Sequence, residues 1–238
     1  MIKGVLFDFN GTLFFDTFIH IASWTKYAKE KFNIELTSED FLTNIHGRSN
    51  FYIIPYLTKN RITDKEEIDK CVREKVKIYQ DIVRELIGKI DLVEGTYQLF
   101  DFLNKHNIPF TIVTSSRSFN VDFYYKTFPL AKYLPREKVV CDIGKLKGKP
   151  APDFYLEGAK VIGVDIKDCI VLEDSYSGLL SAISAEPYEV IGIDNNENKE
   201  ELEKVKLNHI YKNMFEVLDY IKKENHIDEW SFQNWFSN

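Results

Sequence analysis

Three cysteines in 238 residues, Cys71, Cys141 and Cys169, are too few and too widely separated for a disulfide framework or for the close pairs of zinc and redox motifs. They read as reduced thiols. Long apolar runs are also missing. No segment approaches the roughly 20 residues of a membrane span, and the N-terminus enters a strand pattern without the charged region, apolar run and small-residue cleavage site of a secretory leader. The expectation is a cytoplasmic protein that does not engage a membrane. Positive charge is not in excess either: a net charge of −6 argues against a general polyanion binder, and so against nucleic acid, although a local basic patch can still hold a small phosphate. No internal repeat or low-complexity tract interrupts the chain. What is plentiful is apolar content, 44% of residues, ample for a packed interior.

The stretch around which the rest is organised is Asp8-Phe9-Asn10-Gly11-Thr12-Leu13. Val5, Leu6 and Phe7 form a continuous apolar run, as expected of a strand buried on both faces of a parallel sheet. The run stops at the carboxylate of Asp8, at the carboxyl end of the strand, which is the edge where open α/β sheets bind ligands. Asn10-Gly11 supplies the turn away from it.

Downstream the pattern becomes helical. Ile19, Ala22, Ser23, Tyr27 and Ala28 fall at three and four spacing, Thr37-Ser38-Glu39-Asp40 has helix-start chemistry, and Asp64 to Leu86 mixes charges with Ile68, Val72, Val76 and Tyr79. A block from 16 to 89 is therefore expected to be an all-helical cap, inserted after the first strand. From Gly95 the chain alternates: a helix through Phe100 and Leu103, strand 110–113, a helix after Arg117, strand 139–141, helix 154–162, strand 170–172, helix 175–185 and strand 190–193. This predicts an α/β core with a doubly wound parallel sheet, Rossmann-like, built from 1–15 and 90–223. Residues 194–206 read as a solvated loop plus helix. A tail from 224 to 238 carries Trp230, Phe232, Trp235 and Phe236, which either pack back on the core or meet a second copy, so a monomer or a homodimer is expected.

Three more strand ends carry chemistry. Val113-Thr114-Ser115-Ser116-Arg117 ends an apolar strand in small hydroxyl residues, whose hydroxyl and backbone N–H groups can bind phosphate oxygens. Ser115 is the expected contact, with Ser116 offering its N–H and Thr114 one register away. In Gly148-Lys149-Pro150-Ala151-Pro152-Asp153 two prolines stiffen the backbone just after a lysine and aim one ammonium. Ile170-Val171-Leu172 ends in the adjacent carboxylates Glu173 and Asp174, which repel unless a cation sits with them, and oxygen-only ligands suit Mg²⁺.

Taken in order, these four segments resemble the motifs of the haloacid dehalogenase superfamily, and the stretch from Gly148 to Ala185 is similar to the subfamily of β-phosphoglucomutase and related sugar-phosphate phosphatases. The resemblance implies Asp8 as a nucleophile that forms an aspartyl-phosphate. It implies Lys149 as the cation between nucleophile and phosphoryl group, and a Mg²⁺ held by Asp8, Glu173, Asp174 and the backbone carbonyl of Asn10. It also implies cap contacts to substrate, for which His20 and Arg48, in His46-Gly47-Arg48-Ser49, are the candidates. The expected function is a Mg²⁺-dependent phosphohydrolase acting on a small phosphorylated metabolite, a sugar phosphate by preference, with a sugar-phosphate mutase as the alternative. One position departs from the pattern. Where the family carries a second aspartate that shuttles a proton, this chain has Asn10, which cannot do so. The sequence leaves three accounts open: a leaving group good enough to need no proton, a site that binds phosphorylated ligands with little turnover, or an amide introduced deliberately or prone to deamidation. On proton transfer alone, Asn10→Asp should be faster on alkyl phosphates.

Overall fold

Apolar runs that are buried on both sides dictate the centre of this molecule. In the computed structural model, which describes residues 1–227, all four residues of β1 (Gly4–Phe7) and all five of β4 (Cys169–Glu173) are buried. They pair in parallel with Val5 opposite Ile170 and Phe7 opposite Leu172. β2 (Phe110–Arg117) flanks β1 on its other side and β3 (Val140–Asp142) follows it, while β5 (Glu189–Ile193) and β6 (His209–Tyr211) extend the sheet beyond β4. The resulting order is β3-β2-β1-β4-β5-β6, parallel throughout. The chain winds outward from β1 in one direction and then returns to start again on its other side. The crevice between the carboxyl ends of β1 and β4 is therefore the switch point of the sheet.

Strand alternation sends successive side chains to opposite faces. Val5, Phe7, Ile112, Ile170, Leu172 and Ile191 meet helices α5 (Thr96–Lys105), α6 (Ser118–Thr127) and α10 (Met214–Glu224). Leu6, Val113, Val171 and Val190 meet α7 (Asp153–Ile162), α8 (Tyr176–Ser184) and α9 (Lys199–Glu203). Each such aliphatic or aromatic side chain, once fully buried, contributes roughly 1.5–3 kcal/mol, so both faces are needed to hold the central strands. This is the doubly wound α/β core that the alternating sequence predicts. β6 is an addition to it: His209–Tyr211 is half-exposed and edge-placed, too short and too polar to stand out in the sequence.

The segment between β1 and α5 is helical. It contains α1 (Thr17–Phe32), the single turn α2 (Ser38–Asp40) running into a π-turn at Phe41–Ile45, then α3 (Asn50–Leu57) and α4 (Lys65–Glu85). Thr37 and Asp40 form a reciprocal capping box, and the Asp64 side chain accepts from the N–H groups of Glu66 and Glu67 to start α4. Trp24, Tyr27, Ile53, Ile54, Val72 and Val76 give these helices an apolar cluster of their own, separate from the two that flank the sheet. The aromatic tail at Trp230 and beyond lies outside the described residues.

Candidate active site

Asp8 follows β1 directly and its N–H still bonds to the Leu172 carbonyl at 3.0 Å, as if the strand continued one step. This fixes the carboxylate at the switch point. Its Oδ1 accepts from Lys149 Nζ at 2.6 Å. The same ammonium reaches Glu173 Oε1 at 2.5 Å and the Tyr155 hydroxyl at 3.1 Å, so one buried cation is shared by two carboxylates and a phenol. Burial pushes the Asp8 carboxyl up to about 7, against the pull of Lys149, while Asp8 and Glu173 together hold the Lys149 ammonium well above the usual lysine range despite its burial.

The adjacent carboxylates separate in role. Asp174 faces the cavity, with Oδ1 accepting from the Thr12 hydroxyl at 3.0 Å and Oδ2 from Asn195 Nδ2 at 3.1 Å. Glu173 is placed one layer behind. Besides Lys149, its Oε1 accepts from Tyr155 at 2.9 Å, and Oε2 takes the backbone N–H groups of Asp174 and Ser175. It is fully buried, and its oxygens accept from Lys149, Tyr155 and the backbone at the start of the next helix. Two glycines permit this packing. A Cβ on Gly178 would lie 1.7 Å from Glu173 Oε1, and one on Gly11, at φ +79°, would lie 2.0 Å from Asp174 Oδ2.

Asp8, Glu173 and Asp174 bring ligand oxygens within 4.8 Å of one another, and burial drives the Asp174 carboxyl far above its ordinary range, with Glu173 and Asp8 adding repulsion. An all-oxygen, buried set with more carboxylates than cations fits a hard divalent ion.

Thr114, Ser115 and Ser116 all border the cavity at the end of β2. The Thr114 hydroxyl accepts the Ser116 N–H at 3.1 Å, and the Ser116 hydroxyl donates to Asn10 Oδ1 at 2.9 Å. Ser115 Oγ is buried with no partner among the described residues. It is the hydroxyl left over for a ligand.

From the helical segment, His20, Arg48 and the loop between them and the core reach the same cavity. The Arg48 guanidinium lies 4.9 Å over the Tyr52 ring and makes no ion pair among the described residues. His20 is not a lone helix histidine: Nε2 is 3.2 Å from Asp16 Oδ2 and Nδ1 is 3.0 Å from Lys75 Nζ. Burial and the adjacent Lys75 lower its basicity, and burial brings Lys75 down to about 7.

Sequence reasoning missed several residues of this cavity. Lys75 occupies a position of the apolar stripe of α4, between Val72 and Val76 on one side and Tyr79 on the other, and a lysine in such a stripe is the signal that could have found it. Asn195, Asn198 and Glu201 are buried, although 194–206 reads as a solvated segment. Asn195 bonds to Asp174, Asn198 Nδ2 donates to the Asp174 carbonyl at 2.8 Å, and Glu201 accepts from the Tyr176 N–H and pairs with His46 at 2.9 Å. These polar groups are buried because they find side-chain and backbone partners between β4 and α8, which no local pattern reveals.

A family model described as haloacid dehalogenase-like hydrolase matches residues 2–186. Hexitol phosphatase A of Escherichia coli is 30% identical over 190 residues, 77% of this chain and 79% of its own length. β-Phosphoglucomutase of Bacillus subtilis is 26% identical over 205 residues, 80% of this chain and 83% of its own. A crystal structure of a HAD hydrolase, family IA, variant 3 from Entamoeba histolytica superposes with a TM-score of 0.79 at 37% identity, covering 93% of this chain and 100% of that one. The chain belongs to the haloacid dehalogenase-like hydrolases.

Proposed function

We propose that this hydrolase is a Mg²⁺-dependent phosphatase of a small phosphorylated metabolite, a sugar or sugar-alcohol phosphate, acting through an aspartyl-phosphate on Asp8. The observation that carries this reading is the Asp8–Lys149 contact of 2.6 Å in a cavity also lined by Asp174 and by Ser115, whose buried hydroxyl is unpaired. The names of its relatives, hexitol phosphatase among them, favour a phosphorylated polyol.

In this reading Asp8 attacks phosphorus and the bond to the substrate oxygen breaks, that oxygen taking its proton from solvent because Asn10 has none to give; water then attacks the same phosphorus, yields its proton to solvent, and releases phosphate to restore Asp8. Lys149 neutralises the carboxylate and the phosphoryl oxygens, which would otherwise repel each other. Ser115 donates its hydroxyl to one phosphoryl oxygen; the Ser116 N–H, expected to do the same, is held by the Thr114 hydroxyl. Asp8, Asp174, Glu173 and the backbone carbonyl of Asn10 would hold Mg²⁺, Glu173 also keeping Lys149 and the Asp174 N–H in place. When bound, the ion offsets carboxylate and phosphoryl charge. Residues 16–89 form the cap over a core of 1–15 and 90–223, and Arg48, Lys75 and His20 face the substrate end remote from phosphorus. Mutase chemistry is the second reading, favoured by the similarity to β-phosphoglucomutase. Hydrolysis is preferred because isomerisation demands a proton shuttle at both steps and position 10 offers none.

The test is phosphate release from a panel of phosphorylated sugars, polyols and acyl phosphates, with and without Mg²⁺, beside Asp8→Asn. Mg²⁺-dependent release that the variant abolishes supports a phosphatase. Conversion of a sugar phosphate to its isomer without release would favour the mutase.

A further inference from the structure

Asp16 immediately precedes α1, where an aspartate ordinarily caps the helix, yet its side chain makes no capping bond. It turns back toward the loop that carries Asp8. Oδ1 accepts the Gly11 N–H at 3.1 Å and Oδ2 accepts from Asn10 Nδ2 at 2.6 Å. Two groups of the helical segment converge on the same oxygen: the Tyr79 hydroxyl donates to it, and His20 Nε2 lies 3.2 Å away. Asp16 is wholly buried.

A carboxylate has only acceptors to offer, so it dictates that the nitrogen end of Asn10 faces it. The second amide proton goes to the Tyr124 hydroxyl at 2.8 Å, and Oδ1 accepts from Ser116 at 2.9 Å. Every polar atom of the Asn10 side chain is thus engaged, in an arrangement that an aspartate cannot reproduce. An oxygen in place of Nδ2 would lie 2.6 Å from Asp16 Oδ2, where two carboxyl groups either repel or must share one proton, and it could not make both of the donations that Nδ2 makes to Asp16 and Tyr124.

We propose that Asp16 is a positioning residue of the reaction and that Asn10 is its required partner, so that the site is rebuilt around an amide rather than having lost an acid. The pair ties the nucleophile loop, through Gly11 and Asn10, to the helical segment, through Tyr79. The inference rests on the phosphatase reading for its kinetic part only. It reverses an expectation drawn from sequence alone, that Asn10→Asp should be the faster enzyme.

The experiment is a double-mutant cycle of Asn10→Asp and Asp16→Asn, read by kcat, KM and thermal midpoint in the full chain. Asn10→Asp alone should lower kcat roughly tenfold or more, with KM nearly unchanged, and Asp16→Asn alone should also lower it. The double variant should recover to within a few-fold of the natural chain, because the amide at position 16 then donates to the carboxylate at position 10. Tyr124 and Ser116 can both donate to that carboxylate. Asn10→Ala, which removes the donor without adding charge, should lose less than Asn10→Asp. An Asn10→Asp variant as fast as the natural chain, simple addition of the two losses in the double variant, or an alanine variant as impaired as the aspartate would each overturn the proposal. Should Asn10→Asp fail to fold, a double variant that folds is the same coupling read in stability. Thermal midpoints need no turnover, so a chain that releases no phosphate would defeat the phosphatase reading while leaving this one to be judged on its own.

Discussion

Lys75 Nζ lies 3.0 Å from His20 Nδ1, and the ammonium also sits 4.9 Å over the Trp24 ring, where the helical segment lines the cavity. A lysine so buried loses its proton near pH 7 rather than at the ordinary 10.5. The unfolded chain then holds a proton that the folded chain has released, between about 7 and 10.5, so this residue's contribution to stability improves as pH rises through that window. Below it, the folded protein carries the full cost of a buried ammonium. Lys75→Met should therefore raise the thermal midpoint at pH 6, and the gain should shrink steadily by pH 10. A gain that is independent of pH would show that Lys75 is not titrating in the fold.

Glu173 is expected to act through Lys149. Glu173→Gln keeps most of the shape but removes the charge that shares the ammonium, and breaking a buried pair on one side costs roughly 3–5 kcal/mol. The variant should unfold earlier in denaturant and lose kcat by about a hundredfold, in line with the loss of one preorganised charge. Gly178→Ala should resemble it, since the added methyl would occupy the space of Oε1. An alanine at 178 that leaves kcat and stability unchanged would contradict the packing described here.

Arg48 has no ion pair among the described residues and lines the same cavity as Asp8. Arg48→Ala should raise KM roughly tenfold or more for substrates with a second anionic group, the order of one charge-assisted hydrogen bond, and far less for those without one. Steady-state kinetics on a mono- and a bisphosphate of the same sugar make the comparison. Equal effects on both would remove the arginine from substrate recognition.

The sheet and the cavity differ in how far the sequence reveals them. Val5 to Asp8 and Ile170 to Asp174 are legible because an uninterrupted apolar run that ends in carboxylates is a local pattern, and strand β1 next to β4 follows from the winding of the fold. Lys149 is legible through its prolines. The Asn10–Asp16 pair is not, since an aspartate ahead of a helix reads as a cap and only the folded chain turns it inward. Glu173 shows the opposite limit: its neighbour Asp174 has the same charge, and which of the two faces the cavity depends on Gly178 and Tyr155, from other helices. Asn195, Asn198 and Glu201 come from a polar segment whose burial depends on the partners it meets just past β4: the Asp174 side chain, the Asp174 carbonyl and the Tyr176 N–H.

The most direct test of the account is chemical identification of the phosphoenzyme. Enzyme mixed with its best substrate and Mg²⁺ would be acid-quenched within one turnover, reduced with borohydride and mapped by peptide mass, which converts an acyl phosphate to the corresponding alcohol at the modified residue. The account predicts reduction at Asp8, absent in Asp8→Asn and in samples without Mg²⁺. Phosphate release that proceeds with Asp8 never modified, or modification at any other carboxylate, would contradict it.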